Sequence, residues 1–252
     1  MEVILVYRIG KTLTPIVERM ELTRIFKEDL FHGEIVQMVF QDLHKKIKFK
    51  NILCVRTPTT GAWMDTMFSD NKELKVTRVL YKRDNRTTLN SAMKRLYKTI
   101  EHSELESTIK NLKQTFDCIC VDSFHEYAES QSDFAILAKY LSSTGCILSH
   151  DCCPPKKEYS TPIFKSGWWC GETYVSFVNF AYNNPDWYYA IIDNDNGVGI
   201  MSKTSFNGLK NNFDRVKQEQ LFKLRAENNE NTYDYFLANA KDLINLIQRK
   251  DA

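Results

Sequence analysis

The sequence predicts an α/β domain: a doubly wound, mostly parallel sheet with helices on both faces and an antiparallel hairpin at its edge. Three observations predict it. Short apolar runs at residues 50–55, 73–81, 116–122 and 146–151 have the length and β-branched content of strands. Segments of helical apolar spacing alternate with them, which implies parallel pairing through right-handed crossovers. Later, "WYYAIID" and "GVGIMS" flank "NDNG", the chemistry of a tight hairpin turn.

In chain order, "VILVY" (3–7) reads as a short strand, and Thr14-Pro15 before "IVERMELTRIF" as an N-cap and first-turn proline, so residues 1–32 are expected to form a helical lead-in. Ile35, Val36, Val39, Phe40 and Leu43 then share one stripe of a helix over 33–47. "KNILCV" is a strand, "RTPTTG" a loop, "AWMDTMFS" helical, and "ELKVTRVLY" the next strand. Residues 87–114 have helical character almost throughout, which leaves no obvious third strand before "FDCICVD" (116–122). "SQSDFAILAKYLSSTG" is expected to be a helix closing on Gly145, followed by the strand "CILSHD". Beyond a loop over 152–167, "WWCGETYVSFVNFAYNN" is helical and the hairpin follows. The α/β domain is expected to span 33–207, with 208–252 as a peripheral helical appendage.

Composition narrows the function. Thirty-four basic against 32 acidic side chains leave a net charge of +2, which supplies no broad field for nucleic acid. The basic runs "HKKIKFK" and "YKRDNR" read as solvated helix ends and loops. No run approaches the roughly 18 apolar residues of a membrane span. Seven cysteines in irregular spacing, with no secretory pattern in "MEVILVYRIGK", imply reduced thiols and a cytoplasmic location. The partner expected is a small molecule or glycan, and oligomeric state stays open.

In a doubly wound sheet the ligand crevice lies past the C-terminal ends of the strands. Asp122 and His125 follow one strand, and His150 and Asp151 follow another. The four are expected to converge, with imidazole as general base and carboxylate as its orienting partner. Cys118 and Cys120 fall on one face of a buried strand and read as small core residues. Cys152, Cys153 and Cys170 lack the Cys-x-x-Cys spacing of a zinc site. Trp168 and Trp169 are candidates for a ligand wall or for packing.

"FDCICVDSFHEYAESQSDFAILAKYLSSTGCILSHDCCPP" and "WWCGETYVSFVNFAYNNPDWYYAIIDNDNGVGIMSK" resemble class I S-adenosylmethionine-dependent methyltransferases, in the branch acting on oxygen of small molecules and sugars. The resemblance runs over about residues 33–203 and rests on ordered elements: an Asp-x-x-His-x-Tyr strand end, a His-Asp strand end, and a Gly-acid helix. It implies S-adenosylmethionine as cofactor, with Thr57, Thr59, Gly61, Asp84 and Asp122 around it. It also implies a possible Mg2+ on Asp122, Asp151 and Glu172. The sequence departs from the pattern at the first strand-to-helix turn, where Cys54 stands in place of an acid and Arg56 and Pro58 in place of glycines. An Asn that follows the second acid in some relatives is Cys152 here. The reading is an O-methyltransferase of a small hydroxylated acceptor, a sugar or glycan precursor. Two rivals stand beside it: a non-catalytic binding module with a decayed cofactor site, and an enzyme whose Arg56 and Thr-rich loop receive a nucleotide phosphate.

Overall fold

A computed structural model describes residues 33–68, 71–82, 97–206 and 208–248. The expected lead-in over 1–32 and Asp84 lie outside them. The elements run α1 (Glu34–Ile47), β1 (Asn51–Arg56), α2 (Trp63–Met67), β2 (Lys75–Tyr81), β3 (Lys98–Ile100), α3 (Leu105–Asn111), β4 (Phe116–Asp122), α4 (Tyr127–Ala138), β5 (Leu141–Ser149), α5 (Thr173–Asn183), β6 (Tyr188–Asp193), β7 (Val198–Ser202), α6 (Arg215–Ala226), α7 (Thr232–Ile244) and β8 (Leu246–Gln248).

The strands form one sheet in the order β3-β2-β1-β4-β5-β7-β6-β8. The β1–β2, β2–β3, β1–β4, β4–β5 and β6–β8 pairs are parallel, and β7 runs antiparallel to both β5 and β6. Each face carries its own apolar core: Val55, Ile119, Phe134 and Phe177 on one side, Val36, Phe40, Cys118 and Cys120 on the other. Strands buried on both faces read as continuous apolar runs, which is why β1, β4 and the end of β5 stand out in the sequence. Sequence order reverses between β1 and β4, so their C-terminal ends open the crevice expected of a doubly wound sheet.

Four expectations are corrected. A third strand does exist: β3 lies inside the stretch read as helix, where only three residues pair with β2 and the run is too short to show a period of two. α4 stops at Ala138, and Gly145 lies within β5, where a Cβ would stand 2.9 Å from the Asp117 carbonyl oxygen. The hairpin is not the sheet's edge, because β8 pairs outside β6. Nor is the C-terminal segment peripheral: Leu221, Phe236, Leu243 and Ile244 are buried in the main core, and the Gln218 amide donates to the Leu243 carbonyl. Their apolar positions are few per turn, so the polar outer faces dominate the sequence pattern.

One charged pair in this core bears on stability. Asp133, fully buried, accepts hydrogen bonds from the hydroxyls of Tyr81 and Ser123, and His102 Nε2 lies 2.9 Å from its Oδ1. The hydrogen bond to Asp133 raises the pKa of His102 against its partial burial. A raised folded value means that the stabilisation is full below the unfolded value of 6.5 and fades as pH climbs through the folded one. The melting-temperature gap between wild type and His102→Gln is therefore expected to be widest below pH 6.5 and to narrow under more alkaline conditions. A gap that is flat with pH would contradict this pairing.

Candidate active site

The residues at the ends of β4 and β5 meet in one buried centre. His125 Nε2 lies 3.2 Å from Asp122 Oδ1 and 3.2 Å from Asp151 Oδ2. His150 Nδ1 lies 3.3 Å from Asp151 Oδ2 and 3.6 Å from Asp122 Oδ2. All four residues are buried, none more than 6% exposed. Asp122 closes β4, and three residues on, His125 enters from the short link to α4. Asp151 adopts the left-handed region, φ 59°, directly after β5, a conformation aspartate tolerates at modest cost.

Other elements fix the orientation of these groups. His125 Nδ1 donates to the Trp169 carbonyl at 2.9 Å, since a carbonyl can only accept. The Trp63 indole N–H donates to Asp122 Oδ2 at 3.0 Å. A third carboxylate comes from the hairpin: Asp195 Oδ1 is 3.5 Å from His150 Nε2, while its Oδ2 accepts the Gly33 N–H at 2.6 Å. Asp195 and Asn196 both have positive φ, 52° and 61°, and Gly197 N–H bonds the Asn194 carbonyl, as a type I′ turn requires.

Burial opposes charge on both imidazoles, but the facing carboxylates outweigh it. His125 is raised by Asp151 and Asp122, and His150 well above the usual value by Asp151, Asp195 and Asp122. Burial likewise pushes the Asp151 carboxyl up, and His150 and His125 more than offset it, holding it below the ordinary carboxylate range. The centre is thus arranged to stabilise a cation between its acids.

The turn after β1 is built differently from the expectation. Arg56, 1% exposed, sits beside Asp122 in the β1–β4 register and folds over the crevice. Its Nε donates to the Tyr97 hydroxyl at 2.9 Å and Nη1 to the Thr60 carbonyl at 2.8 Å. Nη2 pairs with Asp65 at 2.8 Å, and the guanidinium carbon lies 4.8 Å from the centre of the Tyr97 ring. Thr57 is buried whereas Thr59 is exposed, and Thr57 Oγ1 contacts the hydroxyls of Thr59 and Thr60 at 3.3 and 2.9 Å. Thr60 in turn donates to the Asp122 carbonyl. Gly61 has φ 62°, and a Cβ there would stand 2.9 Å from Arg56 Cβ and 3.3 Å from Asp122 Cβ.

Around Asp122, Ser123 and His150 the free space is about 10 Å³, room for one water, whereas ligand pockets run from about 300 Å³. The side chain of Arg56 is buried against the turn after β1. Its donors are also committed to Tyr97, Thr60 and Asp65, which corrects the idea that Arg56 stands ready for a phosphate. For magnesium, Asp122 and Asp151 do come together, but Glu172 does not join them: its carboxylate faces Arg225, 3.1 Å from Nη2. Among the described residues, the three-residue group able to hold an ion is Asp122, His125 and Asp151. An imidazole in that set departs from the all-oxygen octahedron magnesium favours.

Asp195, Trp63 and Asp133 were not singled out in the sequence. "NDNG" signals a turn, but nothing in it says that β7 lies beside β5 and so brings Asp195 to the crevice. Trp168 is exposed, whereas Trp169 is buried against His125 with ring centroids 5.5 Å apart. All seven cysteines are free and buried, and Cys118 and Cys120 pack in one core as expected.

A family profile described as a methyltransferase domain matches residues 16–152, more than half of the 252. No curated protein matches the chain in sequence. Among solved structures it is similar to a Staphylococcus aureus protein assigned as a caffeoyl-CoA O-methyltransferase, with 16% identity, TM-score 0.48, and coverage of 75% of this chain and 86% of that one. It is similar to the SAH-bound methyltransferase PaMTH1 of Podospora anserina, with 18% identity, TM-score 0.47, and coverage of 68% and 79%. The O-methyltransferase of Bacillus cereus in complex with SAH gives 14% identity, TM-score 0.46, and coverage of 67% and 78%. Likeness at this level carries no chemistry.

Proposed function

The chain belongs to the methyltransferase domain family, and from that membership we propose that it is a cytoplasmic, S-adenosylmethionine-dependent O-methyltransferase of a small hydroxylated acceptor, a sugar or glycan precursor. The observation that carries the proposal is the convergence of Asp122, His125, His150 and Asp151 at the ends of adjacent parallel strands. Methyl transfer to oxygen asks the protein to align the hydroxyl and accept its proton. An imidazole flanked by two carboxylates does the second once it has released its own proton, because the charge it regains is stabilised at once by Asp151 and Asp122. His125 and His150 are the bases, and Asp122 and Asp151 orient them.

The acceptor side is supported by a hollow of about 220 Å³ lined by Lys157, Glu172, Arg225, Asn229 and Tyr233, whose polar side chains match the hydroxyls of a sugar. It adjoins the centre through Glu172, whose N–H donates to the His125 carbonyl at 2.7 Å. Among the described residues no helix is long and apolar enough to cross a membrane.

The test is methyl transfer from S-adenosylmethionine to a panel of sugars and small phenols, read by product mass. His125→Ala is expected to lower turnover about 10²- to 10⁴-fold, the usual worth of a general base, with an unchanged fold by circular dichroism. Turnover that survives in both His125→Ala and His150→Ala would remove the assignment of the base.

The second reading, a non-catalytic binding module, is favoured by one observation, the buried Arg56 side chain bonded across the turn after β1 where glycines are expected. Under it, neither wild type nor any variant turns over.

A further inference from the structure

The loop between β5 and α5 is fastened at its neck and exposed along its tip. The Tyr159 carbonyl accepts the N–H of both Cys170 and Gly171, at 2.9 and 3.0 Å, and the Trp169 indole donates to the Thr161 carbonyl at 2.8 Å. Beyond these ties residues 162–168 are exposed without a break. A cluster of large apolar side chains in water is the informative exception on a folded surface. This tip carries one: Ile163, Phe164 and Trp168 are 78, 50 and 62% exposed, with Phe164 packed edge-on against the Trp169 ring. Val216 and Leu237, also exposed, sit singly on α6 and α7.

We propose that this loop docks the protein on an anionic lipid surface, with Ile163, Phe164 and Trp168 entering the headgroup boundary and Lys156 and Lys165 meeting the lipid anions. Area argues for a bilayer over a protein partner. The exposed shares of the three side chains amount to roughly 400 Å² at most, about half of the ~800 Å² per partner that a stable protein interface buries. A bilayer needs no matching surface, and it accepts a few apolar side chains at the end of a projecting loop, tryptophan above all because its ring is apolar and its N–H polar. Charge agrees. Lys156 and Lys165 are exposed on either side of the apolar tip, while Lys157 is taken by Asp234 at 2.6 Å. Glu158 is the one acid in the sequence from 155 to 168, so the loop keeps an excess of positive charge for an anionic leaflet.

The neck ties this surface to the buried centre. Trp169, next in the chain to Trp168, packs on His125 with ring centroids 5.5 Å apart, and its carbonyl accepts from His125 Nδ1. Gly167, with φ 97°, makes the bend that returns the chain to Trp168, and a Cβ there would meet no atom within 4 Å. The hollow beside Glu172 reaches the same loop through Ser160, Thr161 and Pro162. A lipid surface under the tip is therefore held near that hollow.

The inference goes beyond methyl transfer, and its test uses neither donor nor acceptor. The full chain is sedimented with vesicles of phosphatidylcholine alone and of phosphatidylcholine mixed with phosphatidylserine. Expected is binding at least about fivefold tighter to the mixed vesicles, weakening as salt is raised. Tryptophan emission should shift to the blue on binding and be quenched by brominated lipid, both effects falling away in Trp168→Tyr. The double variant Ile163→Ser/Phe164→Ser should bind about tenfold more weakly or worse, and Lys156→Gln/Lys165→Gln should lose the preference for phosphatidylserine. Val216→Ser, on α6, should bind as wild type does. These exposed substitutions should leave the melting temperature nearly unchanged, so a loss of binding reads the surface and not the fold. Absent sedimentation with the mixed vesicles, undiminished binding by Ile163→Ser/Phe164→Ser, or equal binding to both vesicle types overturns the proposal. Self-association that disappears in the same double variant, with no vesicle binding, overturns it too and gives the tip to a second copy of the chain.

Discussion

Arg56→Ala is expected to bind S-adenosylhomocysteine at least about tenfold more tightly than wild type, a difference of roughly 1.4 kcal/mol or more. On the proposed function the ligand has to displace Arg56, which donates to Tyr97, Thr57, Thr60 and Asp65 and stacks over the Tyr97 ring. Each such hydrogen bond is worth about 0.5–1.5 kcal/mol net, and those to charged groups more. A crevice that is open only a small fraction of the time weakens apparent affinity by that fraction. Removing the side chain removes the competition. The same change should lower stability by about 2–3 kcal/mol, short of the full cost of breaking a buried pair because Asp65 keeps 31% of its side chain in water. Calorimetric titration of both proteins, with urea unfolding as the stability readout, checks both parts. If neither protein takes up the ligand, the methyl-donor reading falls and the binding-module reading takes its place.

Gly197→Ala should be the most destabilising single substitution near the site. Gly197 ends the hairpin turn with φ 88°, and a Cβ there would lie 2.0 Å from the Cys153 backbone nitrogen and 2.4 Å from its Cβ. The left-handed backbone alone costs an alanine about 1–2 kcal/mol. Overpacking adds about 1–3 kcal/mol, and here the obstacle is backbone, which cannot swing aside. The chain would have to separate the turn from the segment after β5, losing the bonds from Cys152 N–H to the Gly197 carbonyl and from Cys153 N–H to the Asn196 carbonyl. A loss of about 4 kcal/mol corresponds to a fall of roughly 10 °C in melting temperature for a chain of this size. The turn also carries Asp195 to His150, so the variant should lose function even at temperatures where it stays folded. A melting temperature within about 2 °C of wild type would mean that the turn and the β5 exit do not pack as described.

The residues closest to the chemistry were legible before any coordinates. Asp122, His125, His150 and Asp151 each follow a strongly apolar strand, and parallel strands must end on the same edge of their sheet, so local pattern and topology together bring them near one another. Glu172 was misplaced for the opposite reason. Its position before α5 follows from sequence, but its direction is set by Arg225, whose own place depends on α6 packing back against the domain.

The chain by itself determined the alternation of elements, the parallel sheet, the hairpin and the two strand ends that carry acids and imidazoles, because hydrophobic period and turn chemistry are properties of neighbouring residues. Tertiary structure alone decided that three residues at 98–100 pair as a strand and that β8 covers the hairpin's edge. It also decided that Asp195 reaches His150 from 45 residues downstream and that Arg56 lies over the crevice instead of in solvent. Those outcomes depend on where a side chain finds a partner across the fold, and no local period encodes the partner's position.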